Sequence, residues 1–281
     1  MTRLGNLFNP KIHSLIRLLF VALLVGGMLS QSFGQLSLAD SSFHVGPGTQ
    51  SPRFADNCVN SIVVLADGRI LVGGIFTGIA GVARTNLACL NHDGTPDLTF
   101  PGTANGPVQK LLVQSDGKIL IGGSFSNLQG TACLNLGRLL TNGLVDPDFD
   151  AGTNFADMDG IYDLARQTNG SVVVSSFYQP DPMYAEYGST LRRLEPDGHL
   201  DDSFNNTNLF LYWTAQCLLI RTNGEILVGG GFSYVNNARH TAFAVFDAAG
   251  NLKTNYTDLL LPESDVFSLN ELPDGSLLLG G

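Results

Sequence analysis

The chain has 281 residues, with 15 Lys and Arg against 25 Asp and Glu, which gives a formal net charge of −10. Such an acidic surface repels phosphate groups, so the composition argues against nucleic acid or an anionic lipid face as a partner. The 33 glycines, together with abundant Leu, Val, Thr, Ser and Asn, are typical of many short strands joined by tight turns.

The first 34 residues have the pattern of a secretory signal peptide. Three basic residues and no acidic ones accompany the apolar run LLFVALLVGGML at 18–29, and the small residues Ser32 and Gly34 follow it. The alternative is a membrane anchor, but a span needs roughly 18 or more apolar residues. We therefore expect cleavage after Gly34, a secreted or cell-surface location, and no membrane span in the mature chain.

A unit of about fifty residues recurs along the rest of the chain. Each unit has an apolar segment, a first turn of Asx-Gly, and a second apolar segment that ends in two glycines in four of the five copies. The turn residues fall at intervals of 49, 53, 54 and 51. The repeated positions are Asp67, Gly68, Gly73, Gly74, Asp116, Gly117, Gly122, Gly123, Asn169, Gly170, Asn223, Gly224, Gly229, Gly230, Asp274 and Gly275.

A second turn follows the first by 26 to 28 residues, and a short segment ending in an aromatic residue follows it. Asx-Gly between apolar runs predicts a hairpin with a type I′ turn, so two turns give four antiparallel strands per unit. Runs such as KILI and EILV are apolar at successive positions, which indicates a sheet buried on both faces. The sequence therefore predicts an all-β fold, a β-propeller of four-stranded antiparallel blades with about five repeats, the last incomplete.

The paired glycines are predicted to be structural. A phosphate-binding loop would occur once and lead into a helix, whereas this pair recurs and no helical periodicity follows it. We expect the glycines to let neighbouring backbone or rings approach a strand end. The third unit departs from the pattern, with Ser175 and Ser176 in place of the pair.

The segments Asp116–Phe125 and Asp197–Phe204 carry the two halves of this pattern. They resemble the delta-60 repeat family of large secreted bacterial proteins, and the resemblance covers essentially residues 36–281. The glycine pair is also similar to the kelch signature, but with one Trp in the chain that likeness extends to architecture only. Both resemblances imply a propeller scaffold, often a module of a longer extracellular protein, and no single activity.

We divide the chain into the signal peptide at 1–34 and a repeat domain at 35–281. Residues 38–43 match the last strand of a unit, so either they complete the fifth unit or the chain is a fragment of a longer protein. The predicted units span roughly 44–100, 101–149, 150–204, 205–256 and, incompletely, 257–281.

One segment is a candidate calcium site, although no other cofactor is expected. It carries Asp146, Asp148, Asp150, Asp157 and Asp159, and calcium prefers six or more oxygens from a curled loop. The alternative is that the first of these aspartates is a backbone cap, because an Asp recurs three residues before the aromatic in other units.

The candidate ligand-binding residues are tyrosines of an insert in the third unit, Tyr178, Tyr184 and Tyr187. Tyrosine rings in a long loop suit stacking on sugar rings or peptide; the alternative is an inert loop that covers the blade edge. We interpret the nearby segment FLYWTAQ at 210–216 as core packing.

The sequence contains none of the common hydrolase, zinc-protease or P-loop motifs. Turn or surface roles are expected for His92, His199 and His240, and free buried thiols are favoured over disulfides for the four cysteines. The function predicted is a secreted, non-catalytic scaffold that binds a protein or a polysaccharide. The alternatives are a propeller enzyme acting on carbohydrate with an acid pair roughly 5 to 9.5 Å apart, and a calcium-dependent adhesin.

Overall fold

The computed structural model describes residues 58–152, 154–155, 158–178, 188–204, 210–236, 238–254 and 265–281. These residues form β-strands and turns with almost no helix, so the all-β prediction is confirmed. None of the described segments contains a helix long and apolar enough to cross a membrane. The predicted signal peptide and residues 38–43 lie outside the described residues.

The strands, in chain order, are grouped by the predicted units. The first unit contains β1 (Cys58–Val64), β2 (Ile70–Ile75), β3 (Gly78–Ile79), β4 (Val82–Ala83) and β5 (Leu87–Leu90). The second contains β6 (Val108–Val113), β7 (Ile119–Gly123), β8 (Asn127–Leu128), β9 (Thr131–Ala132) and β10 (Leu136–Leu139). The third contains β11 (Gly160–Arg166), β12 (Val172–Tyr178) and β13 (Gly188–Leu194). Next come β14 (Phe210–Tyr212), β15 (Ala215–Ile220), β16 (Ile226–Gly230), β17 (Tyr234–Val235), β18 (Ala238–Arg239) and β19 (Phe243–Phe246), then β20 (Ser268–Glu271) and β21 (Leu277–Gly280).

Three of the units form an antiparallel sheet with the second strand in the middle, in the orders β1-β2-β5, β6-β7-β10 and β15-β16-β19. The third unit differs, because its sheet β11-β12-β13 continues into β14, β17 and β18 of the fourth unit. The predicted fourth strand is reduced to a single bridge to the third strand, as between Leu90 and Pro96. It ends there because Asp97 Oδ1 accepts the backbone N–H of Thr99 and so forms the next turn.

The Asx-Gly turns are not of type I′. Gly68 has φ +87°, but Asp67 does not have positive φ. The N–H of Gly68 donates to the carbonyl of Leu65, and Asp67 Oδ1 accepts the N–H of Arg69. This is a type I turn followed by a left-handed glycine, in which the aspartate caps the backbone two residues on. The same pair of bonds recurs at Asp116 and Asp274.

The first glycine of each pair makes room for the next unit. A Cβ atom at Gly122 would lie 2.8 Å from Cγ2 of Ile161, and one at Gly229 would lie 2.6 Å from Cγ1 of Val266. The predicted role of close approach is therefore confirmed. The aliphatic side chains that fill these positions are Val108, Ile161 and Val266, each at the start of the following unit's first strand.

The interface between the third and fourth units has the same contact, but the smaller and the larger side chain have changed sides. Ser175 stands where the other units have glycine, and the facing residue of the fourth unit is Ala215 in place of a valine or isoleucine. The Ser175 hydroxyl donates to the Ala215 carbonyl. The two facing side chains therefore occupy a similar total volume here, but the larger one lies on the preceding unit instead of the following one.

The aromatic residue that ends each of the first three units also contacts the next unit. A Cβ atom at Gly198 would lie 2.7 Å from the ring of Phe149, and one at Gly250 would lie 2.7 Å from the ring of Phe204. Both glycines have positive φ. The second turns at Gly198 and Gly250 therefore need glycine both for their own conformation and to make room for the preceding unit's ring.

A buried or half-buried ion pair joins the second strand of three units to the segment after the second turn. Arg69 lies 3.0 Å from Asp97, and Lys118 lies 3.0 Å from Asp146. In the fourth unit the charges are reversed, because Glu225 pairs with Lys253. The partners are 28 residues apart in all three cases. The third unit uses Arg193 with Asp201 instead.

We expect Gly122→Ala to lower the free energy of unfolding by about 1–3 kcal/mol, because the new methyl group overpacks the contact with Ile161. Ile161→Ala removes the facing branch, so the double variant should be more stable than the sum of the single changes predicts. Urea unfolding of all four proteins measures this coupling. Simple additivity would show that the two residues do not define the contact.

We expect Lys253→Asp to cost roughly 2 kcal/mol, because it places a second carboxylate beside the nearly buried Glu225. Adding Glu225→Lys rebuilds the pair in the polarity of the first two units and should recover at least half of the loss. Recovery should be incomplete, because Arg221 also contacts Glu225. A double-mutant cycle in urea measures the effect, and no recovery would contradict the charge-reversal interpretation.

Candidate functional site

The most distinctive surface lies where the third and fourth units share a sheet. The strand register places Tyr178, Gly188, Tyr212, Tyr234 and Arg239 opposite one another in a single row across five strands. Phe210 lies on the same face, two residues before Tyr212. We call Tyr178, Phe210, Tyr212, Trp213, Tyr234 and Arg239 the aromatic surface.

The aromatic surface exists because β14 and β17 alternate between a buried and an outward side chain. Leu211 and Val235 are fully buried on the inner face, so their neighbours Tyr212 and Tyr234 must point outward. The interpretation of FLYWTAQ as core packing is wrong for Trp213, which is exposed, whereas Phe210 and Tyr212 are half-buried. The exposed fraction is 59% for Trp213 and 45% for Tyr234.

The rings contact one another edge to face. The centroids of Phe210 and Tyr212 are 4.9 Å apart, and those of Tyr212 and Tyr234 are 6.1 Å apart. Phe210 lies across Gly188, where any side chain would collide with the ring. The glycine therefore lets Phe210 fill the row between Tyr178 and Tyr212 and makes the apolar surface continuous.

Trp213 is held in a strained conformation. Its φ is +86°, a region that bulky residues rarely adopt and that costs about 1–3 kcal/mol. The neighbouring backbone is fixed, since Gly231 N–H donates to the Thr214 carbonyl and Ala215 N–H donates to the Ser189 hydroxyl. An exposed ring kept in this state is a candidate for function, because surroundings that fix the strain must be maintained.

Of the three tyrosines predicted to bind ligand, Tyr178 is at the edge of the aromatic surface. It is half-buried and packs against the cluster that contains Val172 and Val174. Tyr184 and Tyr187 lie outside the described residues. Their segment leaves the sheet after Tyr178 and returns at Gly188, so both of its ends are in the row.

Sequence reasoning did not include Phe210, Tyr212, Trp213, Tyr234 and Arg239 among the candidate site residues. A signal was present, because Phe, Tyr and Trp are grouped within four positions at 210–213. What could not be read was the pairing of β13 with β14, which crosses from the third unit to the fourth.

The candidate calcium ligands that the structure describes do not converge on a common point. Among the described residues, no group of three His, Cys, Asp or Glu side chains could hold a metal ion. Asp146 Oδ1 accepts the N–H of Asp148, and its Oδ2 pairs with Arg138 and Lys118. These bonds hold the pKa of Asp146 below its usual value against the effect of burial. Asp146 is therefore a backbone cap, as the recurrence of Asp at this position suggested.

The other candidate ligands near Asp146 are placed differently. Asp150 Oδ1 accepts the N–H of Gly152 at 2.7 Å, so it also caps local backbone. Asp148 supplies the N–H that Asp146 accepts. Asp159 precedes β11, and Asp157 lies outside the described residues.

All four cysteines are free thiols, as predicted. Cys89 and Cys217 are buried, and burial raises the pKa of these thiols to about 11 and about 12. Both are therefore protonated near neutral pH. Cys58 and Cys133 are half-buried.

His240 was expected at a turn or on the surface, but it is buried, with 2% of its surface exposed. It directly follows Arg239 on the hairpin that carries Tyr234, and its N–H donates to the Ser233 carbonyl. Neither ring nitrogen has a hydrogen-bond partner within the described part of the chain. Burial lowers the pKa of the imidazole, because the charged form loses its hydration.

Comparison with known proteins identifies the repeat. The family model "Domain of unknown function (DUF5122) beta-propeller" matches residues 65–100 and 114–149. Each match runs from the end of a first strand to the aromatic that ends the unit, in the first two units. No curated protein matches the chain.

The chain is also similar to several solved structures. A streptogramin B lyase structure has 16% identity and a TM-score of 0.48, over 81% of this chain and 63% of that one. The extracellular domain assigned to a hybrid two-component system of B. thetaiotaomicron has 12% identity and a TM-score of 0.49, over 80% and 26%. A protein of unknown function from Bacteroides caccae has 15% identity and a TM-score of 0.43, over 79% and 69%. The chain thus spans less than two thirds of the first two.

The family match supports a β-propeller repeat family in general and does not single out the delta-60 repeats. The family match and the all-β sheets agree on the architecture. The two matched units, with their paired glycines and terminal aromatics, are β-propeller-type repeats.

We expect the protein to lose stability as the pH falls below about 7, since His240 resists protonation when folded. In the unfolded chain its pKa returns to 6.5, so only the unfolded state gains a proton, at a cost of up to about 1.4 kcal/mol per pH unit. His240→Leu should flatten this dependence between pH 7 and 5. Urea unfolding across that range measures it.

The matched control is His199→Gln, because the His199 side chain is 71% exposed. That variant should keep the pH dependence of the wild type. An equal flattening in both variants would show that His240 is not the group responsible.

Proposed function

We propose that the chain is a secreted, non-catalytic β-propeller module that binds an uncharged polysaccharide through the aromatic surface. The observation that carries the proposal is the row of rings at Tyr178, Phe210, Tyr212 and Tyr234, with Trp213 exposed beside it. The other parts of the proposal rest on the sequence: the N-terminal signal pattern for secretion, and the lack of catalytic motifs for a binding role.

A sugar ring suits this surface because its C–H bonds form an apolar face while its hydroxyl groups point outward at the edge. Tyrosine and tryptophan offer a rigid apolar ring with a polar tip, so they cover such a face at low entropic cost. Consecutive rings along the row can contact consecutive sugar units of a chain. Arg239, exposed at the end of the row, can donate hydrogen bonds to hydroxyl groups.

The charge of the chain favours a neutral ligand. Removing residues 1–34 takes away three of the 15 basic residues and none of the 25 acidic ones, so 12 − 25 gives a net charge of −13. A polymer of uronic acids would be repelled by this field at low ionic strength. Neutral glucans and xylans carry no charge, so this field would not repel them.

The scaffold we propose has blades corresponding to the units predicted from the sequence. The bridge at Leu90 and Pro96 and its three counterparts supply the fourth segment of each blade. The first strands of successive units contact one another, as expected when blades are arranged around an axis.

We expect Tyr212→Ala to weaken binding roughly tenfold or more, because truncating a central aromatic residue commonly costs about 2 kcal/mol. Native affinity electrophoresis in gels that contain laminarin, xylan or polygalacturonate measures this. The wild type should be retarded by a neutral polymer and not by polygalacturonate. Phe267→Ala is the matched control, since Phe267 is an exposed ring, at 58%, outside the aromatic surface.

Trp213→Gly separates function from folding. Glycine accepts the positive φ without strain, so the free energy of unfolding should be unchanged or raised by up to about 1 kcal/mol, while binding is lost. Failure of every polymer to retard the wild type, or wild-type retardation of Tyr212→Ala, would contradict the proposal. Release of reducing sugar during incubation would contradict the non-catalytic part.

A further inference from the structure

The first strands of four units share an irregularity in their pairing, which lies outside the aromatic surface. The pairing of first and second strands shifts by one residue at the same place in β1, β6, β11 and β15. Such a β-bulge leaves one residue unpaired and redirects its side chain. The unpaired residues are Asn60, Gln109, Tyr162 and Gln216, which we call the bulge row.

The bulge row brings side chains of neighbouring units together. The Asn60 amide nitrogen donates to the side-chain oxygen of Gln109 at 2.8 Å and to the Val108 carbonyl at 3.0 Å. The first strands of the second, third and fourth units are in contact in the same order. By the common register, Tyr162 and Gln216 continue the row.

The residue after each bulge points into the interface between units. The Ser61 hydroxyl accepts the N–H of Leu111, and the Asp163 carboxylate accepts the N–H of Leu218. Asp163 also pairs with Lys110 at 2.6 Å. The charges at this level are therefore paired in the interface, and the bulge row beside them is uncharged.

Every member of the bulge row can donate and accept hydrogen bonds, and none is fully buried. Within the described residues, no hydrogen bond engages the Tyr162 hydroxyl, the Gln109 amide nitrogen or the side-chain oxygen of Gln216. Tyr162 is fixed by an edge-to-face contact with Phe177, at 5.8 Å between centroids. Fixed, uncharged groups with unused hydrogen-bonding capacity suit a ligand that carries many hydroxyl groups.

The bulge row is joined to the aromatic surface by a short stretch of chain. Trp213 and Thr214 connect β14 to β15, and the Gln216 amide donates to the Thr214 hydroxyl at 2.8 Å. Only Thr214 and Ala215 therefore separate Trp213 from Gln216, the nearest member of the row, along the chain. A linear ligand that leaves the aromatic surface at Trp213 can reach Gln216.

We infer that the bulge row is a second subsite, which binds hydroxyl groups of an uncharged oligosaccharide whose other units stack on the aromatic surface. The inference rests on the proposed function and adds to it a minimum ligand length. A short sugar occupies the rings alone. A longer chain gains affinity from Tyr162 and Gln216.

The test is isothermal titration calorimetry of the full chain with a hexasaccharide and a disaccharide of whichever neutral polymer retards the wild type. Tyr162→Phe removes a single hydroxyl group and should weaken hexasaccharide binding about fivefold, and Gln216→Leu should weaken it about tenfold. Disaccharide binding should not change. Asn270→Leu is the control, because Asn270 is an exposed amide on β20 outside the bulge row.

The outcomes separate the two proposals. If Tyr212→Ala abolishes binding while Tyr162→Phe and Gln216→Leu behave like Asn270→Leu, the aromatic surface is the binding site and the second subsite is wrong. Equal losses for both sugar lengths would also overturn it, since they indicate an indirect effect on the rings. If no neutral polymer binds the wild type, the proposed function fails and this inference fails with it.

Discussion

Close contact between successive units is the constraint on which the structure depends. An aliphatic side chain of each first strand occupies the space that a missing Cβ leaves at Gly73, Gly122 or Gly229 in the preceding unit. Sheets at this distance have no room for an added methyl group, because protein interiors are packed as densely as crystals. At the other end of the unit, the terminal aromatic ring similarly occupies the space that a missing Cβ leaves at a turn glycine of the next unit.

The third unit satisfies this constraint differently, and the candidate site is built on it. Ser175 and Ala215 exchange sizes across the interface, and the Ser175 hydroxyl then holds the strand that follows Trp213. Gly188 leaves space for the ring of Phe210, and β13 pairs with β14, so that β14 and the hairpin of the fourth unit extend the sheet. A departure from the repeat thus creates a surface that a regular unit does not have.

Features that depend on residues adjacent in sequence could be predicted, whereas features that depend on pairing between strands far apart in sequence could not. The Asx-Gly turns and the role of the glycine pair follow from local backbone preference and from recurrence. The row that joins Tyr178 to Tyr212 depends on the register between β13 of the third unit and β14 of the fourth, which local backbone preference does not encode. The burial of His240 was missed for a related reason, since its surroundings come from elements packed against it and not from its flanking residues.

The reversed ion pair of the fourth unit has a consequence for how the repeats find their partners. Sheets of similar sequence can exchange strands during folding, which is a common failure of repeat proteins. If β7 of the second unit took the place of β16, Lys118 would face Lys253, and two positive charges would meet in a half-buried position. The opposite exchange would bring Glu225 against Asp146. The polarity of one pair therefore distinguishes the fourth unit from the second while both are still assembling.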